Sequence, residues 1–387
     1  MSHPGQAPLL AIVGGGQLAR MLAEPAAALG LPLRLLAEAE GMSAAQVIPD
    51  HVVGDYRDLS TLRSVTEGCQ VVTFDHEHVP TEHLRALAAD GLAVRPGPDA
   101  LVHAQDKAVM RAKLGELGIP CPRNTVVASV ADVEAFGFPC VLKTTRGGYD
   151  GKGVWFVSSA EQCAEPFDSA AASGVALLAE ERVDFRRELS ALAVRSPSGQ
   201  AAAYPVVSST QRDGICHEVI APAPDLDPDL AGEAQRIALT VARELGVTGV
   251  LAVELFETTD GRVLVNELAM RPHNTGHWTQ DGAVTSQFEN HLRAVLDLPL
   301  GAPHPRARWT VMVNILGGPD GVGRLYDGYP HALARDPRLR VHLYGKELRP
   351  GRKVGHVNAY GNDLDDCLER ARHAAAWFRG DLGNDSE

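Results

Sequence analysis

The sequence lacks several features that would place it in a specialised class of protein. Its 387 residues contain no Cys-x-x-Cys pair, and the six cysteines are scattered, which favours reduced thiols over a zinc knuckle or a disulfide frame. No basic stretch precedes the first apolar run, so we expect no signal peptide. No apolar run is long enough to span a bilayer. Together these absences predict a cytoplasmic protein.

The sequence also contains fewer basic residues than acidic residues. The chain has 36 Lys and Arg residues against 49 Asp and Glu residues, which gives a net charge of -13. This balance argues against general binding to nucleic acid or to anionic membranes, so any phosphate site must be built from a few local basic residues. The length exceeds what one hydrophobic core usually serves, and we therefore predict two or three domains.

The order of predicted elements changes along the chain. Residues 9–95 alternate between strand and helix patterns, which predicts βαβ units and a parallel sheet. A Pro/Gly-rich segment at 94–99 marks a boundary. Short strands and turns dominate residues 138–221, and a small β-rich part closed by a helix begins near residue 306. The pattern predicts a parallel α/β part followed by α+β parts.

A first glycine cluster lies between the first predicted strand and the first predicted helix. Gly14-x-Gly16-x-x-Ala19 matches the dinucleotide-binding fingerprint, with alanine in the last place. Glu38 follows about 20 residues later, where a ribose-binding acid would lie. The pattern fits a nicotinamide dehydrogenase, a turn whose glycines only reverse the chain, or a helix N-terminus that binds another phosphate.

A second glycine cluster lies in the segment Leu142–Phe156. Four glycines fall between Gly147 and Gly153, with Lys152 among them and Lys143 upstream. The segment is not a P-loop, because Lys152 is followed by glycine and not by serine or threonine. Glycine-rich loops that carry lysines are nevertheless typical of phosphate binding.

Two glutamates are predicted to face each other on a hairpin. The dipeptide Asp260-Gly261 between alternating apolar runs predicts a two-residue turn. In that register Phe256 faces Val265, and Glu254 faces Glu267. Like charges on facing residues are destabilising, so the pair predicts a bound cation or a shared proton. The alternative is an exposed face with two solvated glutamates.

The ligands near this pair are all oxygen donors. Asn266 adds an amide oxygen to the two carboxylates, and such a set favours Mg²⁺, with phosphates and waters completing the shell. Lysines on a glycine loop and a carboxylate pair for Mg²⁺ are the parts required for phosphoryl transfer. A dehydrogenase would not need the second part.

At this point the sequence resembles the ATP-grasp superfamily and, within it, the N5-carboxyaminoimidazole ribonucleotide synthetases. The resemblance covers residues 9 to about 360 and rests on the segments GGGQLARM, TFDHEHV, QDKAVMRAKL, GGYDGKGVW, NELAMRPHNTGHWTQ and KELRPGRKVGH. It implies an ATP-grasp fold with a Rossmann-like domain at 1–102, an ATP-grasp domain at 103–302 that includes a lid at about 121–185, and a β-rich domain at 303–387.

The resemblance also implies a reaction of purine biosynthesis. ATP would phosphorylate bicarbonate to carboxyphosphate, and the amine of 5-aminoimidazole ribonucleotide would then capture the carboxyl group as CO2 released in a closed site. ADP and phosphate would leave. The implied cofactor is Mg²⁺, the implied partners are these small molecules and a second copy of the chain in a homodimer, and no nucleic acid or membrane is involved.

By motif, the resemblance assigns ATP contacts to a set of lysines, loop residues and strand residues. Gln211 stands where the family often has a histidine. The set is Lys107, Lys143, Gly148, Tyr149, Asp150, Gly151, Lys152, Gly153, Val154, Glu180, Glu181, Arg182, Val183, Glu188, Gln211, Asn266 and Glu267.

The resemblance assigns the ribonucleotide to residues from all three parts of the chain. Without the resemblance, the basic residues Lys346, Arg352 and Lys353 would be interpreted as part of a solvated turn. The set is Gly15, Gly16, Gln17, Leu18, Glu77, Tyr149, Asp150, Arg271, His273, Lys346, Arg352 and Lys353. The implied catalytic residues are Lys143, Tyr149, Asp150, Arg271 and His273.

Three other functions compete with this hypothesis. A sibling ATP-grasp ligase could transfer formate to a purine ribonucleotide, and the segments HNTGHWTQ and RPGRKVGH argue against it by resemblance. A nicotinamide oxidoreductase would leave the pair Glu254 and Glu267 unexplained. A non-catalytic nucleotide-binding relative is opposed by the presence of Lys143 and of both glutamates.

Overall fold

The computed structural model describes residues 7–148, 152–212, 214–318 and 321–382. Within this part the strands form three sheets, one of five, one of four and one of nine strands. None of the helices described combines the length and the apolar character that a membrane crossing needs.

The N-terminal part is the predicted parallel sheet with helices around it. Its strand order is β3-β2-β1-β4-β5, and every neighbouring pair is parallel. The two central strands are buried along their whole length, as expected for a sheet covered on both faces. The elements are β1 (Leu10–Val13), α1 (Gln17–Ala28), β2 (Leu33–Ala37), β3 (His51–Val53), α2 (Leu59–Thr66), β4 (Val71–Phe74), α3 (Thr81–Ala89), β5 (Ala93–Val94) and α4 (Pro98–Gln105).

A four-stranded antiparallel sheet follows and carries the second glycine cluster. Its strand order is β6-β9-β7-β8, and the glycine segment connects β7 to β8. Lys143 lies near the end of β7, opposite Val154. The elements are α5 (Lys107–Glu116), β6 (Asn124–Val127), α6 (Val130–Phe136), β7 (Cys140–Thr144), β8 (Val154–Val157), a 3₁₀ turn (Ala160–Cys163), α7 (Ala164–Ser173) and β9 (Leu177–Glu181).

The nine-stranded sheet spans the rest of the chain. Its path is β15-β14-β10-β12-β13-β16-β18-β17, and β11 pairs with β10. The elements are β10 (Phe185–Arg195), β11 (Ala201–Ala203), β12 (Val207–Arg212), β13 (Ile215–Ala221), α8 (Pro228–Glu244), β14 (Gly249–Thr258), β15 (Val263–Ala269), a 3₁₀ turn (Asn274–Gly276), α9 (Thr279–Gly282), α10 (Gln287–Val295), β16 (Trp309–Leu316), a 3₁₀ turn (Leu325–Gly328), α11 (Tyr329–Arg335), β17 (Arg340–Leu343), β18 (Lys353–Gly361) and α12 (Leu364–Arg379).

This sheet crosses the boundary that the sequence places at residue 302. Strand β13, before the boundary, pairs antiparallel with β16 after it, from Glu218 opposite Val313 to Ala221 opposite Thr310. Helix α12 covers the C-terminal end of the sheet with buried apolar side chains such as Phe378. The division into three domains stays a prediction, and the last two of them share one continuous sheet.

The turn of the β14–β15 hairpin differs from the prediction. The Thr258 N–H donates to the Arg262 carbonyl at 2.9 Å, so the loop contains residues 259–261 and is one residue longer than expected. Gly261 takes a left-handed conformation, with φ of 78°, at the end of this loop. As a result Phe256 pairs with Leu264, and the predicted pairing with Val265 is wrong.

A second irregularity brings the two glutamates back into register. The pairing shifts between Glu254 and Leu255, because Leu255 pairs with Val265 while Glu254 pairs with Glu267. Asn266 is therefore the extra residue of a β-bulge, a feature that re-aims side chains near active sites. The predicted pairing of Glu254 with Glu267 is confirmed, although the turn and the bulge each depart from the prediction.

His291 on α10 ties the parallel sheet to the nine-stranded sheet. Its Nδ1 accepts the Val250 N–H at 3.1 Å, so Nε2 carries the hydrogen and donates to Thr73 Oγ1 at 2.8 Å. Burial lowers the pKa of His291 to about 3. The ring is therefore neutral in the folded protein across the range in which a free histidine becomes protonated.

We expect this histidine to make the ligand-free protein less stable in mild acid. Below a pH of about 6.5 this histidine is protonated in the unfolded chain but stays neutral in the folded protein. The free energy of unfolding therefore falls as the pH falls. Between pH 7.5 and 5.5 the loss from this group is about 1.4 kcal/mol. His291→Asn, which keeps an acceptor for Val250, should remove that loss in urea titrations. The exposed His304→Asn is the control, and equal pH dependence of His291→Asn and wild type would contradict the expectation.

Candidate active site

A cavity of about 1750 Å³ lies where the three sheets meet. Most of the predicted site residues line it, so residues far apart in the sequence share one space. They are Gln17, Leu18, Glu77, Lys107, Lys143, Gly148, Val154, Glu180, Glu181, Arg182, Val183, Glu188, Gln211, Glu254, Asn266, Glu267, Arg271, His273 and Lys353.

Six other predicted residues are described but do not line the cavity. Gly15 and Gly16 lie behind Gln17 in the first glycine turn, and Lys346 contacts the Gln17 side chain. Lys152 and Gly153 belong to the β7–β8 connection, and Arg352 Nη1 lies 3.4 Å from the Glu347 carbonyl. Tyr149, Asp150 and Gly151 lie outside the described residues.

Three carboxylates line the cavity on neighbouring strands. Glu254 faces Glu267 across the hairpin, and Glu188 lies on the neighbouring strand β10. Burial, Glu267 and Glu188 raise the pKa of Glu254 to about 8, and burial raises the pKa of Glu188 to about 7. The facing pair Glu254 and Glu267 is unfavourable while both acids are ionised, and either a proton or a cation between them relieves the repulsion.

The donors present fit a magnesium ion. Glu254 and Glu267 supply carboxylate oxygens, and the bulge brings the Asn266 amide oxygen near Lys143 Nζ, from which it accepts at 3.1 Å. In the part of the chain that the structure describes, no three His, Cys, Asp or Glu side chains form a metal cluster. A cation here would therefore take its remaining ligands from phosphates and water, as Mg²⁺ does.

Two lysines of the cavity wall each pair with a glutamate that also lines the cavity. Lys143 Nζ lies 2.6 Å from Glu180 Oε2, and Lys107 Nζ lies 3.8 Å from Glu267 Oε1. Lys107 begins α5, whose N-cap is Asp106, and its backbone N–H donates to Thr145 O at 2.8 Å. Both cations thus stand beside the carboxylates, where a polyphosphate would meet them.

Arg111 is a buried residue that contacts the site residues Glu180 and Asn266, and the sequence motifs did not identify it. Its Nε donates to Glu180 Oε1 at 2.6 Å, and its two terminal nitrogens donate to the Val265 and Asn266 carbonyls at 2.8 Å each. Arg111 lies four residues after Lys107 on α5, and residues four apart share a helix face. That spacing was the available indication that Arg111 faces the same site.

Apolar side chains form one end of the cavity next to β9. Phe156 is 70% exposed, and Phe185 stacks on Phe256 with ring centroids 4.7 Å apart. Glu181 is held in place because its carboxylate accepts the Arg123 N–H at 3.0 Å. Apolar walls beside strand backbone suit a flat heterocyclic ring.

The opposite end of the cavity is polar and tightly hydrogen-bonded. Arg271 Nε donates to Glu77 Oε2 at 2.7 Å, and Glu77 also accepts the Met270 N–H. His273 Nδ1 accepts from the Thr275 N–H, so Nε2 carries the hydrogen, 3.5 Å from Glu254 Oε1. Burial lowers the pKa of His273 well below its usual value, which makes the ring a neutral donor.

The first glycine turn is already occupied by the protein's own carboxylates. Asp75 accepts the Gly16 N–H and the Ala19 N–H at 2.8 Å each, and Glu38 accepts the Gly15 N–H at 2.9 Å. A Cβ on Gly16 would lie 2.0 Å from Asp75 Oδ2, so glycine is required there by close approach. This geometry argues against Glu38 as a ribose ligand and against a dinucleotide on this turn.

We therefore expect NADH not to bind. Asp75 sits at the helix N-terminus that a pyrophosphate would need, and a buried carboxylate repels a second anion. Isothermal calorimetry with NADH should show no saturable heat at micromolar concentration, with an ATP analogue as the positive control. Saturable binding of NADH would overturn this assignment of the turn.

Comparison with known proteins agrees with the fold. Residues 112–288 match the model of the ATP-grasp domain, residues 9–105 match the ribonucleotide synthetase preATP-grasp domain, and residues 310–370 match the phosphoribosylaminoimidazole carboxylase C-terminal domain. The fold and the site thus define an ATP-dependent ligase of the ATP-grasp class.

The full-length relatives narrow the class to one family. The chain is 56% identical over 377 residues to the N5-carboxyaminoimidazole ribonucleotide synthase of Mycobacterium tuberculosis, covering 96% of this chain and 88% of that protein. It is 50% identical to the Corynebacterium ammoniagenes synthase over 383 residues, covering 97% and 92%. The chain belongs to the N5-carboxyaminoimidazole ribonucleotide synthase family.

Solved structures of this family share the whole architecture. The Thermus thermophilus synthetase superimposes with a TM-score of 0.85 at 38% identity, covering 96% of this chain and 99% of that one. The Aspergillus clavatus enzyme, in complex with ADP and 5-aminoimidazole ribonucleotide, gives a TM-score of 0.87 at 30% identity, covering 95% and 97%.

Proposed function

We propose that this protein uses ATP and bicarbonate to carboxylate 5-aminoimidazole ribonucleotide to N5-carboxyaminoimidazole ribonucleotide in purine biosynthesis. The observation that carries the proposal is the single cavity in which Lys107 and Lys143, the carboxylate pair and the pair Glu77–Arg271 meet. ATP-binding parts and ribonucleotide-binding parts thus face the same central carboxylates, as a transfer between two substrates requires.

ATP would lie along the lid side of the cavity. The apolar end beside Glu180–Val183 would take adenine, and Glu188 with Gln211 on the adjacent strand β12 would take the ribose. Lys107 and Lys143 would then contact the phosphates. Charge on a phosphoryl group in transfer is stabilised mainly by such fixed cations.

Glu254, Glu267 and Asn266 would hold Mg²⁺ at the phosphates. When bound there, the ion neutralises phosphate charge and lines up the transferred group with its acceptor. The protein's own part is to hold the two carboxylates facing each other at a site where burial and then the neighbouring Glu267 raise the pKa of Glu254, so that a bound cation would favour the ionised form of Glu254.

The ribonucleotide would lie from the first glycine turn to strand β18. Gln17 and Leu18 line the cavity, while the backbone N–H groups of Gly16 and Ala19 donate to Asp75. Lys353, with Lys346 and Arg352 nearby in the chain, would bind its phosphate. Arg271, positioned by Glu77, and the neutral His273 would hold the bicarbonate or carboxyphosphate between the two substrates.

The chemical steps follow from this placement. A bicarbonate oxygen attacks the terminal phosphorus of ATP, the bond to ADP breaks, and carboxyphosphate forms. The amine nitrogen of the ribonucleotide then bonds to the carboxyl carbon, phosphate leaves, and the nitrogen loses a proton. The His273 Nε2–H would donate a hydrogen bond to a carboxyl oxygen during the second step.

The proposal is tested by measuring ADP release with bicarbonate, with and without 5-aminoimidazole ribonucleotide. Strong stimulation by the ribonucleotide is expected, together with formation of the carboxylated product. A formyl transfer or the absence of stimulation would favour a sibling ligase instead.

The assembly and location proposed with this function are a homodimer in the cytoplasm. Both rest on the family resemblance, and the reduced state of the six cysteines is in keeping with the cytosol. Sedimentation analysis at micromolar concentration tests the dimer.

A further inference from the structure

Arg111 is a buried cation that the proposed chemistry does not use directly. Its side chain is 1% exposed, and it is not among the described residues that line the cavity. All three of its nitrogen groups donate to the protein, to Glu180 and to the Val265 and Asn266 carbonyls. Arg111 therefore cannot contact ATP, and its effect must pass through its partners.

Glu180 connects Arg111 to the lysine at the cavity wall. One Glu180 oxygen lies 2.6 Å from Arg111 Nε, and the other lies 2.6 Å from Lys143 Nζ. Burial alone would raise the pKa of the Glu180 carboxyl, but Lys143 and Arg111 outweigh burial and hold the pKa below its usual range. The carboxylate is thus ionised, 2% exposed, and shared between two cations.

Arg111, Glu180 and Lys143 form a row of alternating charges, and the net charge of this row determines how strongly it attracts a phosphate. Glu180 fixes the ammonium group of Lys143, but by itself it would also cancel the charge of that group. Arg111 supplies a second positive charge on the far side of the same carboxylate, so the row keeps a net charge of one positive unit. A buried carboxylate next to a phosphate-binding lysine is tolerable only with such compensation.

We propose that Arg111 is a positioning residue for ATP, whose charge balances Glu180 so that Glu180 can hold Lys143 without cancelling its attraction for phosphate. The inference rests on the ATP site proposed above. A purely structural role, in which Arg111 only connects α5 to the hairpin, would affect all ligands alike. Loss of a balancing charge instead weakens the binding of phosphate-bearing ligands and leaves the binding of neutral ligands unchanged.

The test is a double-mutant cycle on ligands with and without phosphate. Arg111→Met, Glu180→Gln and the double variant are compared with wild type by calorimetry, using a non-hydrolysable ATP analogue with Mg²⁺, and adenosine as the neutral ligand. Arg111→Met should raise the Kd for the analogue at least about tenfold and leave the Kd for adenosine within about twofold. The double variant should recover to within about threefold of wild type.

Two further comparisons keep the test decisive. Arg111→Lys retains the charge and should stay within about threefold of wild type for the analogue, although it loses the fork to the two carbonyls. If Arg111→Met does not fold, the double variant is compared with Glu180→Gln, and a difference below about threefold supports the proposal.

Three results would overturn the proposal. One is an equal loss of affinity for adenosine and for the analogue in Arg111→Met. Another is a double variant that binds the analogue no better than Arg111→Met. The third is a wild-type protein that does not bind the analogue, which would also overturn the ATP site, whereas the first two leave ribonucleotide-stimulated ADP release intact.

Discussion

Glu267→Gln is expected to abolish ATP turnover in a protein that still folds. A neutral amide cannot replace a carboxylate that holds Mg²⁺ against phosphates, and the loss should reach on the order of 10²–10³-fold or more in kcat. The same change removes the repulsion that contributes to the raised pKa of Glu254, so the ligand-free melting temperature should not fall. Steady-state ADP release and thermal unfolding measure the two effects.

The control for this variant lies on the same hairpin. Asp260→Asn makes the same change of carboxylate to amide in the loop, where Asp260 is exposed and pairs with Arg262. It should leave turnover within about twofold of wild type, as surface substitutions usually do. Near-normal turnover of Glu267→Gln at saturating Mg²⁺ would contradict the assignment of the carboxylate pair.

Lys353→Ala should raise the KM for the ribonucleotide and leave the KM for ATP nearly unchanged. A hydrogen bond to a charged partner contributes about 1.5–3 kcal/mol, so the expected increase is roughly tenfold to 100-fold. Lys353 begins β18, in the C-terminal part of the nine-stranded sheet, whereas Lys143 lies on β7 of the four-stranded sheet. Lys143→Ala should therefore show the opposite selectivity and impair the use of ATP.

A partly exposed lysine outside the cavity serves as the control for both variants. Lys113 lies on α5 and pairs with Glu116 at the surface, and Lys113→Ala should change neither KM. If Lys353→Ala weakens ATP and ribonucleotide equally, or neither, the proposed placement of the ribonucleotide across three parts of the chain is wrong.

The sequence predicted the classes of structure where the hydrophobic pattern is local. The alternation over residues 9–95 predicts the parallel sheet, and the residues of β1 and β4 are buried as such a pattern requires. The two ends of α8 were also predictable, because Asp227 before the helix and Gly246 just after it are residue types typical of helix caps.

The facing glutamates were predicted correctly through a register that was wrong elsewhere. A three-residue loop ending at Gly261 shifts the strands by one residue, and the bulge at Asn266 shifts them back. Loop length and bulge position depend on backbone twist and on contacts such as that between Arg111 and the Asn266 carbonyl. Such contacts join residues far apart in the chain, and a local pattern does not record them.

The same limit applies to the first glycine turn. The spacing of Gly14, Gly16 and Ala19 describes the turn and the close approach, but it does not say which anion approaches. The anion is Asp75, supplied by the end of strand β4, 59 residues after Gly16. Parallel strands bring their carboxyl ends to the same edge of the sheet, so Asp75 was a candidate that the motif itself could not name.

The pairing of β13 with β16 determines where this chain tolerates being cut. A fragment ending at residue 302 would lose β16, β17 and β18, and β13 would become an open edge with unsatisfied N–H and C=O groups. It would also lose α12, whose Arg372 forms a two-point ion pair with Glu218 on β13. Open edges of this kind template further strand addition, so the fragment should self-associate into polymers. A split between residues 105 and 107, by contrast, crosses no sheet.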